Sequence, residues 1–118
     1  MKTMRFNIHN SGKYYEYRAL DFLKNEGYKV ARIPVSGSGS QPLPDIIATR
    51  NSTIFPIEVK STSKLSQRVD KFQIDKLFRF CDMFSFCNCK PAVLVYFKKV
   101  KEWKFEIVQN NKEVIVYV

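Results

Sequence analysis

Two carboxylates and an ammonium stand at a spacing that would bring them together. Asp45 opens the run Asp45-Ile46-Ile47-Ala48-Thr49, and Glu58 and Lys60 close the run Ile54-Phe55-Pro56-Ile57-Glu58-Val59-Lys60. Between the runs, Arg50-Asn51-Ser52-Thr53 reads as a tight hairpin turn. With Asn51 and Ser52 as the turn residues, pairing is symmetric about their midpoint, so Arg50 faces Thr53 and Asp45 faces Glu58. Directly paired residues have Cβ atoms about 4.5–5.5 Å apart, and like charges so placed are destabilising. A divalent cation with carboxylate ligands would reverse that penalty. Strand side chains alternate, so Lys60 and Pro56 share the face of Glu58, while Ile46, Ala48, Ile57 and Val59 form an apolar face opposite. The chemistry open to such a set is metal-assisted hydrolysis: the cation polarises a phosphate oxygen and lowers the pKa of a water, and the ammonium stabilises charge beside it. An ordinary ion pair, Asp45–Lys60 or Glu58–Lys60, accounts for the same three residues on their pattern alone.

The elements that must position them follow from periodicity and breakers. Ser11-Gly12 opens a helix that runs to about Glu26, with Gly27 as its stop. Glu16, Ala19, Leu20 and Leu23 fall on one face of it, so Glu16 is an acid at the head of an apolar stripe. It either reaches water at the edge of that stripe or points at the sheet, toward the same cation. A strand from Tyr28 to Val35 leads into the loop Ser36-Gly37-Ser38-Gly39-Ser40, which is a linker or, because it runs straight into Asp45, a substrate loop. Residues 67–84 predict a second helix, with Val69, Phe72, Leu77, Phe80 and Phe84 near helical spacing. Pro91 to Phe97 reads as a buried strand, and Trp103–Gln109 and Glu113–Val118 as a terminal hairpin turned by Asn110-Asn111. Residues 1–10 read as loose. This order of elements predicts an α/β or α+β sandwich with a mixed sheet.

Bulk composition narrows the partner. A chain of 118 residues predicts one domain spanning 1–118. With 45% hydrophobic residues its core is thin, and dimerisation is a common remedy for that. The formal net charge of +9, spread along the chain, predicts a basic face and an anionic partner. No run approaches the roughly 20 apolar residues of a membrane span, and the N-terminus leads into no apolar signal core, so a cytoplasmic protein is expected. Cys81, Cys87 and Cys89 are odd in number and, with His9, fit no zinc spacing; free thiols are the expectation. The phenylalanines at 72, 78, 80, 84 and 86 exceed what one helix face buries, so some are expected at a dimer contact. Lys64, Arg68, Lys71, Lys76 and Arg79 either track phosphates or form a solvated helix face.

Four segments in order carry a family resemblance. Gly12-Lys13-Tyr14-Tyr15-Glu16, Arg32-Ile33-Pro34-Val35-Ser36-Gly37-Ser38, Pro44-Asp45-Ile46-Ile47-Ala48 and Ile57-Glu58-Val59-Lys60-Ser61 resemble the archaeal Holliday junction resolvases of the PD-(D/E)xK nuclease superfamily. The likeness covers about residues 11–100, includes Gln73, and the short length is most similar to versions encoded by archaeal viruses. It implies an α/β, restriction-endonuclease-like core with a central mixed β-sheet flanked by helices. It also implies a homodimer that cuts four-way (Holliday) junctions with Mg²⁺, or Mn²⁺ in its place, leaving 5′-phosphates, with no small-molecule cofactor and no membrane. Carried over by motif, Glu16, Asp45 and Glu58 would hold metal, Lys60 would orient or deprotonate the attacking water, and Ser36 matches a serine important for catalysis. Arg18, Arg32, Ser38, Lys64, Arg68, Lys71 and Gln73 are the expected DNA contacts. Where many members carry Arg directly after the helix glutamate, this chain has Tyr17, with Arg18 next. If virus-encoded, it would act in the host cytoplasm. The alternatives are another nuclease of the superfamily, acting on flaps, ends or duplex, and a non-catalytic DNA-binding protein whose acids are structural pairs.

Overall fold

A computed structural model describes residues 12–34 and 41–118. The expectations for residues 1–10, for Ser36 and Ser38, and for the Ser36–Ser40 loop fall outside the described residues. Helix α1 spans Gly12–Asn25. It ends as the sequence predicts, because Gly27 takes φ +94° and the N–H groups of Gly27 and Tyr28 donate to the carbonyls of Lys24 and Leu23. Strands β1 (Lys29–Arg32), β2 (Ile46–Arg50) and β3 (Thr53–Thr62) follow as an antiparallel meander. Asn51 and Ser52 both adopt left-handed backbone, φ 51° and 62°, as a two-residue primed turn needs. The turn fixes the predicted register, from Arg50↔Thr53 to Ile46↔Ile57.

Beyond β3 the chain departs from the sequence expectation in two places. Residues 67–69 are not helical. Ser66–Val69 is a strand, β4, and the helix that follows, α2, runs Lys71–Asp82. Asp70 decides the boundary: its side chain accepts from the Gln73 N–H and caps α2. The inward face of α2 is therefore Ile74, Leu77 and Phe80, not the set that begins at Val69 and Phe72; Phe72 is exposed. The terminal hairpin also fails to form. After the two-residue β5 (Asn88–Cys89) and the fully buried β6 (Ala92–Phe97), β7 (Glu102–Ile107) folds back on β6, and β8 (Val114–Tyr117) pairs instead with β4. Every side chain of β6 is buried, so the strand needs a neighbour on both edges. The segment directly after it takes the free edge through a tight turn with Lys101 at φ 56°, while β8 brings Val116 over to Val69.

The main sheet runs β1-β2-β3-β6-β7, with β5 parallel to β3. The β3–β6 pair is parallel and the others on this path antiparallel, so the sheet is mixed. α1 packs one face through Tyr15, Ala19 and Leu23, onto Ile46, Ala48, Phe55, Ile57, Val59, Leu94 and Tyr96. α2 and the β4–β8 ribbon cover the other face, where Ile74, Leu77, Val69 and Val116 meet Val93, Val95 and Phe97. The predicted apolar face of the first hairpin is thus the floor of the α1 core. The opposite face is not a bare surface: Pro56 is buried on it, and α2 lies across it.

The cysteines correct a further expectation. Cys81 and Cys89 form a disulfide with Cα atoms 5.4 Å apart, and Cys87 alone is free. The parallel pairing of β5 with β3 sets Cys89 beside the last turn of α2, within the span a disulfide requires. Sequence spacing carried no sign of this, because the approach is made by the β3–β5 pairing.

Candidate active site

Asp45 sits where β2 begins, and pairing with β3 breaks there. Its N–H donates to the Ile57 carbonyl at 3.1 Å, its carbonyl accepts from Ile33 N at 2.9 Å, and its carboxylate Oδ2 accepts from the Val59 N–H at 2.9 Å. A side chain so held by the neighbouring strand has one orientation, and Asp45 is buried. Glu58 is the next residue outward in the hairpin register and lies on the α2 side of the sheet. Its Oε2 accepts from Gln73 Nε2 at 3.2 Å and lies 3.7 Å from Lys60 Nζ. The three residues singled out from the hairpin arithmetic are therefore together, and Gln73 joins them from the first turn of α2.

Electrostatics marks the set as an overcrowded acid pair. Burial raises the Glu58 carboxyl most, the Asp45 charge raises it further, and the Lys60 and Lys76 ammonium groups lower it; the balance pushes it up to about 8. Glu16 is raised as well, by burial and then by Asp45, against the pull of Arg32. Glu16 thus feels Asp45, which puts the helix acid at the same site. Its Oε1 is nevertheless engaged by Arg32 Nε at 2.9 Å, and among the described residues no three acids, histidines or cysteines stand gathered as a metal set. The donor chemistry fits a divalent cation: two hard carboxylates, one of them raised by burial and by the charge of the other in spite of the Lys60 ammonium beside it.

The predicted DNA contacts divide. Gln73 contacts the carboxylate core, and Arg32 is bonded to Glu16 with Tyr17 beneath its guanidinium at 4.8 Å. Arg18 lies over the Tyr96 ring at 4.6 Å and near Tyr14 and Tyr15, on the α1 core side. Lys64 is exposed just past β3, Arg68 pairs with Glu113 at 2.7 Å, and Lys71 donates to Asn111 Oδ1 at 3.1 Å. Two features of α2 went beyond the sequence reading. Asp70 orders Gln73, and the spacing Asp70-x-x-Gln73 before an apolar run is itself a capping signature. Lys76, three residues past Gln73 on the same helix, is buried; from sequence it was one basic residue among several.

The model of the family described as archaeal Holliday junction resolvase matches residues 7–118. The chain belongs to that family. Resolvases of this kind are hydrolytic endonucleases of DNA junctions, and this chain is one; the family also implies use of a divalent metal. It is 62% identical over 95 residues, 80% of its length and 78% of the relative's, to a crossover junction endodeoxyribonuclease of Sulfolobus islandicus rod-shaped virus 1. It is 37% identical over 107 residues, 91% of its length and 78% of the relative's, to crossover junction endodeoxyribonuclease Hje of Saccharolobus islandicus (strain REY15A). The resemblance to a virus-encoded form is therefore borne out. The fold agrees with a solved structure of Archaeoglobus fulgidus Hjc, a Holliday junction resolvase from an archaeal hyperthermophile: TM-score 0.72 over 88% of this chain and 85% of that one, at 24% identity. The resolvase fold here is the mixed sheet between α1 and α2, as the sequence resemblance implied.

Proposed function

We propose that this resolvase cuts four-way junctions at the Asp45–Glu58–Lys60 centre with Mg²⁺, held by Asp45 and Glu58 with Glu16 completing the acidic set. The observation that carries this reading is the half-buried Glu58 carboxylate, next to Asp45 in the hairpin register, with Lys60 Nζ at 3.7 Å. When bound, the cation supplies Lewis acidity to a phosphate oxygen and a lower pKa to the attacking water. The protein supplies the rest. The Val59 N–H fixes one oxygen of Asp45, and Gln73 fixes Glu58, so both carboxylates are oriented before substrate arrives. Lys60 stabilises charge on the phosphate and tunes the water beside it. Arg32 balances Glu16 and adds positive charge at the rim of the site. Ser36 belongs to the catalytic set by motif. In-line attack leaves a 5′-phosphate.

A homodimer supplies two such centres, and closed two-fold symmetry is enough to place paired nicks across a junction. Exposed Met83 and Phe86, just past α2, support a contact there. Selectivity for branched DNA then comes from shape and phosphate contacts rather than base reading. The test is a labelled four-way junction beside matched duplex and single strand, with Mg²⁺ and with EDTA. Paired nicks in the junction alone are expected. Glu58→Ala and Lys60→Ala are expected to bind the junction yet cut at least about 100-fold more slowly; normal cutting by either variant refutes the assignment.

A further inference from the structure

Lys76 is 7% exposed, among the most buried charged residues described. Lysine is almost never buried without a partner. Yet among the described residues Lys76 forms neither an ion pair nor a hydrogen bond. Its surroundings are specific. The ammonium lies 5.5 Å from the centroid of the Phe72 ring, one helical turn back. Gln73 is its i−3 neighbour on α2, so the two share a face, and Gln73 is bonded to Glu58. The charge of Lys76 is felt at Glu58. Phe72 is 65% exposed beside Lys76. Among the described residues no buried side-chain nitrogen lacks a partner, so Lys76 buries its stem and keeps its ammonium at the solvent edge of α2, on the face it shares with Gln73 and beside the Phe72 ring.

We propose that Lys76 is a second phosphate-binding ammonium of the active site, which reaches from the α2 wall to a non-bridging oxygen of the scissile phosphate. The proposal rests on the Asp45–Glu58–Lys60 assignment above. An ammonium on a stem held by packing, with no anion of the protein paired to it, is available to an incoming phosphate oxygen at little cost in side-chain ordering.

The experiment uses the full chain with a labelled four-way junction, comparing wild type, Lys76→Met, Lys76→Arg and Lys60→Ala. Single-turnover cutting at saturating protein, melting temperature, and junction affinity across a salt series without metal are read together. Lys76→Met is expected to melt no lower than wild type, because a methionine fills the same apolar path. Its single-turnover rate is expected to fall about 10- to 100-fold. The slope of log affinity against log salt is expected to shrink by about one unit, as one lost phosphate contact requires. Lys76→Arg keeps the charge and is expected to recover the slope and part of the rate. The proposal is overturned by Lys76→Met that cuts within about twofold of wild type, or by Lys76→Arg that behaves as Lys76→Met in both rate and slope. It is equally overturned by an unchanged salt slope with a shifted pH optimum, the signature of a lysine that only balances Glu58. Normal cutting by Lys60→Ala, whatever Lys76 does, refutes the underlying site assignment instead.

Discussion

Glu58 carries the tension of this site. Its carboxyl ordinarily titrates at 4.5, and in the folded chain it titrates at about 8. Between those values the folded state holds a proton that the unfolded state has lost, so without metal this group makes stability fall as pH rises through the window, then level off above about 8. Glu58→Gln is expected to remove that slope and to melt higher than wild type at pH 9 in EDTA, as read by thermal unfolding across pH. The same proton competes with metal. Titration calorimetry is expected to show Mg²⁺ binding that tightens from pH 6.5 to 8.5 with proton release. Binding independent of pH would mean that Glu58 is not a ligand.

At the scale of the element, α2 is the piece that makes the hairpin acids into a site. Its N-cap, Asp70, sets where the helix begins and so where Gln73 and Lys76 point. Asp70→Ala is expected to cost about 1 kcal/mol of stability and to slow junction cutting more than binding, because Gln73 loses its fixed position beside Glu58. Equal loss in both would place Gln73 outside the catalytic constellation. The far end of α2 is tied to β5 by Cys81–Cys89, a bridge between residues eight apart in sequence. A loop that short contributes about 2–3 kcal/mol on the chain-entropy account. Cys81→Ser is expected to lower the melting temperature by that measure with little change in the metal-dependent rate constant at moderate temperature.

For the whole molecule, the proposed homodimer requires a surface through which two sites are brought to one junction. Phe86 is 82% exposed and Met83 is 56% exposed, at the same end of α2, whereas Phe80 is buried and Phe78 is packed against the core. The surplus of phenylalanine thus divides between core and surface. A Met83→Asp, Phe86→Asp double variant is expected to be monomeric in sedimentation, to keep nearly the wild-type melting temperature, and to leave single rather than paired nicks. A dimer that persists in this variant puts the contact elsewhere. Basic residues remain exposed on the described surface, Lys64 and Arg79 among them, consistent with an anionic partner that covers a broad area.

The sequence by itself determined the hairpin and its register. A two-residue turn and strict alternation leave one pairing, so Asp45, Glu58 and Lys60 had to converge, and the segment likeness around them gave the family. The end of α1 was legible too, because Gly27 alone there accepts a left-handed backbone without strain. Other features lie in contacts between segments far apart in the chain. β4 exists because β8 comes to it, the Cys81–Cys89 bridge because β5 pairs with β3, and the terminal hairpin is lost because β6 claims β7. Propensity and spacing describe a segment against its own neighbours, and none of these pairings is local. Lys76 shows the same limit: its type was visible, but only the packing of α2 over β3 decided that its stem is buried on the helix face that carries Gln73.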